Sequence, residues 1–98
     1  MKNSKPPSFA RALKAVRVAK GLSQEAFSLV SSRTYISSLE RDMKQPTVSK
    51  VVELAAVCEV HPLTLLTLSF CRTGRRSEIE QLLELAKSEL ADLGVTDL

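Results

Sequence analysis

"SSRTYISSLERDMKQPT", Ser31 to Thr47, sets two aliphatic residues three apart among short hydroxyls and cations. Wound at about 100° per residue, Ile36, Leu39 and Tyr35 fall in one sector. Ser37, Arg41, Thr34 and Ser38 fall on the opposite side, with Arg33 on its flank. An ordinary solvated helix face mixes in glutamates and long lysines, but here Glu40 is the one acid before Asp42. The pattern points to a helix that buries its aliphatic sector and offers hydrogen-bond donors to a polar partner. A DNA major groove accepts such a helix: arginine pairs with guanine, and serine or threonine with several bases.

Helical punctuation continues in both directions. Upstream, Pro6, Pro7 and Ser8 read as a helix start, and Phe9, Leu13 and Val16 recur at helical spacing until Gly21, which predicts a first helix over Ser8 to Lys20. Ser23 is the expected cap of a second helix of about two turns, with Phe27 and Val30 inward, interrupted by Ser31 and Ser32. The quoted stretch is then the third helix, reaching about Arg41. Downstream, Pro46 and Thr47 close it and cap a fourth, Val48 to Glu59. Pro62 suits the first position of a fifth, Leu63 to Cys71, where "PLTLLTLSF" places leucines on more than one face. After the basic connector "RTGRR", Ser77 and Glu80 have capping-box spacing for a sixth helix, which runs to Leu93 and is ended by Gly94. No strand pattern or repeat appears. The expected fold class is all-α, a five-helix domain over residues 8–71 and a separate amphipathic helix over residues 77–93.

Ninety-eight residues suit one core. With 44% hydrophobic and 26% charged residues, the composition is that of a folding chain and not of a disordered tail. The polar, basic start leads into no long apolar run, so the expectation is a cytoplasmic protein without signal peptide or membrane span. The net charge of +3 conceals an asymmetry: residues 1–76 carry 13 Lys and Arg against five acids, a net of +8. Residues 77–98 carry one lysine against six acids, a net of −5. A basic body calls for an anionic partner, and an acidic end for a different role.

Catalytic and metal-binding patterns are missing. There is no glycine-rich phosphate loop, histidine pair or Ser-His-Asp set, so neither enzyme activity, metal nor cofactor is expected. Cys58 and Cys71, in apolar surroundings and without metal-type spacing, read as buried free thiols. His61, just before Pro62, reads as a helix-start or packing residue.

Taken together, "ALKAVRVAKGLSQEAF", "TYISSLERDMKQPTVSKVVELAAV" and "VHPLTLLTL" resemble the lambda-repressor and Cro-like helix-turn-helix family, also called the xenobiotic-response-element type. The resemblance covers about Phe9 to Phe70, in the family's order. It implies that the second and third helices form the helix-turn-helix and that the third enters the major groove. Carried across by position, Arg33, Thr34 and Ser38 stand where bases are read, and Ser37 joins them on the exposed sector. Gln24, Ser32, Tyr35, Arg41 and Lys44 form the expected phosphate-contacting set, while Arg17 and Glu40 match a structural ion pair. Two departures stand out. "LVSSRTY" is about two residues shorter than the family's usual turn and has no glycine, so either the second helix ends early or a serine turns left-handed. Asp42 stands where glycine is common.

In the sixth helix Ile79, Leu82, Leu83, Ala86, Leu90 and Leu93 make one apolar stripe. With Leu65 and Leu68 of the fifth helix, this stripe is the expected dimer interface, folding back on the domain being the alternative. The resulting expectation is a homodimeric transcriptional regulator that reads a palindromic operator in double-stranded DNA. The rival reading is an antitoxin-like module that captures a protein partner with its acidic end.

Overall fold

The computed structural model describes residues 7–98, so the basic start, Met1 to Pro6, lies outside the described residues. Helix α1 spans Phe9–Ala19; the Ser8 hydroxyl accepts the Arg11 N–H at 3.2 Å, satisfying one of the free donors that every helix start leaves. Its inner face is Phe9, Leu13 and Val16, spaced four and three apart.

The second helical element is a single 3₁₀ turn, Gln24–Phe27, and not two α-turns; the Ser23 side chain makes no capping bond. Only Phe27, fully buried, anchors this segment firmly, while Leu29 stands 97% exposed. One anchor holds one turn. The glycine-free link is thus met by early termination: among the described residues the only non-glycine positive φ values belong to Asp42, 61°, and Glu59, 59°, and no serine is left-handed.

Helix α2, Arg33–Glu40, is capped by the Ser32 hydroxyl, which accepts the Tyr35 N–H at 3.0 Å. Helix α3, Val48–Cys58, is capped by Thr47, whose hydroxyl takes the Lys50 N–H. Helix α4, Pro62–Phe70, opens on proline, with His61 Nδ1 accepting the Leu63 N–H at 2.9 Å. Helix α5, Arg76–Leu93, stops at Gly94, whose φ of 64° ends it without side-chain strain. The Ser77–Glu80 capping box does not form. The helix starts after Arg75 with no side-chain cap, and the Glu78 carboxylate reaches back into the connector instead.

Leu13, Phe27, Ile36, Leu39, Leu54, Cys58 and Leu65 form the buried centre. Helix α1 packs on α4 and α2, while α3 and α4 meet at a 108° bend. Leu65 is 0% exposed within this core, which corrects its assignment to a dimer interface: a side chain already enclosed by its own domain has no area left to offer. Leu68 is half-buried against the core. Cys58 and Cys71 are free and buried, and burial pushes both thiols above the usual range. No single helix among the described residues is long and apolar enough to cross a membrane. Helix α5 buries none of its residues; Ile79 and Leu82 are half-buried, and Leu83, Ala86, Leu90 and Leu93 are exposed.

Candidate nucleic-acid interface

The outward side of α2 is polar because its inward side is used up by Ile36 and Leu39. Arg33 and Thr34 are exposed and Ser37 is half-buried; with Gln24 and Arg41 they line one shallow depression. Ser38 is not part of it. It is 6% exposed, because α2 is covered from two sides, by α1 and by the 3₁₀ turn, and the buried sector is wider than the two aliphatics alone require. The structure therefore removes Ser38 from the base-contacting candidates. Arg33 Nη1 lies 3.5 Å from Glu25 Oε2, with both side chains more than two-thirds exposed.

Lys44 is exposed in the loop after α2, and Ser32 is exposed with its hydroxyl engaged as the helix cap. Tyr35 is half-buried, and the Lys50 ammonium sits 5.8 Å from its ring centroid. The same ammonium donates to the Val30 carbonyl at 2.7 Å and pairs with Glu53 at 2.8 Å. Lys50 thus ties α3 to the link before α2. The sequence holds no local signal for this contact, since 20 residues separate Lys50 from Val30.

Beneath the depression lies a fork-to-fork pair. Arg17 Nε and Nη2 donate to Glu40 Oε2 and Oε1 at 2.6 and 2.9 Å, with side-chain exposures of 14% and 5%. Arg17 Nη1 donates to the Leu22 carbonyl at 2.9 Å, so the guanidinium also fixes the approach to the 3₁₀ turn. Gln24 Nε2 donates to Glu40 Oε1 at 3.2 Å. Burial alone would raise the Glu40 pKa; the hydrogen bonds from Arg17 and Gln24 and the charges of Arg17 and Lys14 outweigh it and hold the carboxyl below its usual range. The Glu40 bond raises the Arg17 pKa in turn. A charge-assisted network of this kind fixes Gln24 and α2 relative to α1 and offers no reactive group. Among the described residues no cluster of three or more His, Cys, Asp or Glu is arranged to hold a metal.

The comparisons with known proteins fall on the same region. A helix-turn-helix family model matches residues 13–65, more than half of the chain. Among solved structures, the restriction-modification controller protein C.AhdI from Aeromonas hydrophila is similar, with a TM-score of 0.55 and 30% identity over 58% of this chain and 89% of that one. No curated protein matches.

Proposed function

The chain belongs to the lambda-repressor and Cro-like helix-turn-helix family of DNA-binding transcription regulators, and from that premise we propose that it reads a palindromic operator as a homodimer through α2. The observation that carries this reading is the joint placement of Arg33, Thr34, Ser37 and Arg41 in one exposed polar depression on a helix locked from behind by Arg17 and Glu40. Arg33, Thr34 and Ser37 have the donors and the length to reach base edges in a major groove. Gln24 at the start of the 3₁₀ turn, Ser32 at the start of α2, and Arg41 and Lys44 beyond its end flank them, where side chains meet phosphates. Tyr35, half-buried with the Lys50 ammonium over its ring, completes the phosphate-contacting set.

Two copies facing half-sites about 34 Å apart would read one turn of DNA. The exposed apolar stripe of α5 supports the dimer, since Leu90 and Leu93 stand 63% and 69% exposed and Leu83, on the rim of a cleft against α4, is only partly covered. The acidic side of the same helix favours a second use, capture of a protein partner. Binding-site selection from random duplexes with the purified protein is the test. A twofold-symmetric site is expected, with affinity falling steeply as salt rises; enrichment of no sequence at low salt would defeat the reading and leave the protein-capture role.

A further inference from the structure

The connector between α4 and α5 is gripped from both sides. From α5, Glu78 Oε1 accepts the Thr73 N–H at 2.8 Å, the Thr73 hydroxyl at 2.7 Å and the Gly74 N–H at 3.0 Å, and its Oε2 accepts the Arg72 N–H. From α1, Arg11 donates to the Cys71 carbonyl at 3.2 Å and to the Arg72 carbonyl at 3.5 Å. The connector's donors are bound by one helix and its acceptors by another. Four convergent donors hold the Glu78 carboxyl at a pKa of about 2, well below the usual range.

We propose that Glu78 is a specificity-determining residue: by clamping the connector it fixes the direction in which α5 leaves the domain, and so fixes the half-site spacing that the dimer accepts. This rests on the homodimer reading above. Helix α5 fully buries no residue, and beyond Glu78 it meets α4 only through the partly covered Ile79, Leu82 and Leu83 along an open apolar cleft, so among the described residues the clamp is the one polar restraint on a swing about the connector. Its 18 residues make a lever about 27 Å long, and a swing of about 10° at the root moves the tip by about 5 Å. One added base pair shifts a half-site by about 3.4 Å along the DNA and about 34° around it. A swing of about 10° covers the translation, and a slack of about 15–20° in each of the two subunits covers the rotation as well, so a slack of that size separates a dimer that insists on one spacing from one that tolerates its neighbours. Glu78 itself needs no contact with DNA to act in this way.

The experiment uses the full chain and duplexes carrying two identical half-sites at varied separation. The wild type should prefer one spacing over its neighbours by about tenfold or more, and E78A should bring the neighbours within about threefold while selecting the same half-site sequence. E78Q, which retains one acceptor oxygen, should fall between. Spin labels on α1 at Lys14 and on α5 at Glu89, both exposed, report the clamp directly. Their distance distribution, measured with label-diluted protein, should be narrow in the wild type and broad in E78A. A narrow distribution in E78A, or an unchanged spacing preference in a protein that sediments as a dimer, overturns the assignment. A wild type that sediments as a monomer and selects single half-sites overturns the homodimer, and the spacing role with it, whatever the labels show.

Discussion

Arg17 and Glu40 are nearly enclosed, and that decides how their pairing is felt. An exposed ion pair contributes about 0–1 kcal/mol, whereas removing one partner of a buried one costs about 3–5 kcal/mol, because the other charge is left without a counter-charge. Arg17→Met and Glu40→Gln should therefore each destabilise by amounts in the upper range, and a double-mutant cycle in urea should show strong coupling; additive losses would mean that the charges act separately. Because the folded Glu40 pKa lies below its usual value, the network's stabilisation is present above the unfolded carboxylate pKa and is lost as pH falls through the folded one. Glu40→Gln should flatten that acid-side loss. On the outer face the roles differ by reach. Losing a base contact at Arg33 or Thr34 should cost about 1–3 kcal/mol at one base pair and relax specificity there, while Lys44→Ala should weaken all duplexes alike and lower the salt slope by about one. Base preferences that stay the same in both Arg33→Ala and Thr34→Ala would remove α2 as the reading element. That outer face was legible in the sequence as far as single-helix geometry reaches: Arg33, Thr34 and Ser37 fall outside the Ile36–Leu39 sector, but Ser38 is buried by a second neighbour that no helical wheel contains.

At the scale of elements, the limits of α1, α3 and α4 were readable because each start is written locally, in Ser8, Thr47 and the His61–Pro62 step. The second element was not, because a segment with one firm anchor follows its neighbours and not its own propensity. The start of α5 misled for a related reason: Ser77 and Glu80 have the spacing of a cap, but Glu78 finds several donors in the connector, and a tertiary demand of that size prevails over a local one. Lys50 shows what such demands accomplish. The link from Phe27 to Arg33 has no glycine, and the Lys50 ammonium satisfies the Val30 carbonyl within it at 2.7 Å. Charge-assisted hydrogen bonds contribute about 1.5–3 kcal/mol. Lys50→Met, which keeps the stem and deletes the donor, should thus destabilise the fold by about 1–3 kcal/mol. Faster hydrogen exchange is expected first at the Val30 and Ser31 amides, which bond to the Phe27 carbonyl. Exchange that rises uniformly across α1 to α4 would show instead that Lys50 supports the core as a whole.

At the scale of the whole molecule the charge changes sign where the burial stops: residues 7–76 supply the core, residues 1–76 carry 13 of the 14 cations, and α5 carries five of the 11 acids and no fully buried residue. A helix that fully buries no residue and half-buries only Glu78, Ile79 and Leu82 contributes little to the folding of the domain beneath it, so the domain should survive its loss. Deleting residues 77–98 removes the Glu78 clamp, but the connector amides it satisfied lie at the surface and pass to water. The buried centre from Leu13 to Leu65 is untouched by the deletion. The truncated protein should keep its helical circular dichroism over α1 to α4 and unfold cooperatively. On the homodimer reading it should sediment as a monomer and bind a full operator about 10²–10⁴-fold more weakly, since the second half-site would no longer be held at high effective concentration. The phosphate repulsion of Glu80, Glu84 and Glu89 would disappear at the same time, which works in the opposite direction and should be visible as tighter binding to a single half-site at low salt. Comparing single and paired half-sites at two salt concentrations separates these effects. A truncated protein that still sediments as a dimer would move the interface to the domain itself, and one that fails to fold would mean that α5 packs back onto α4 as part of the core.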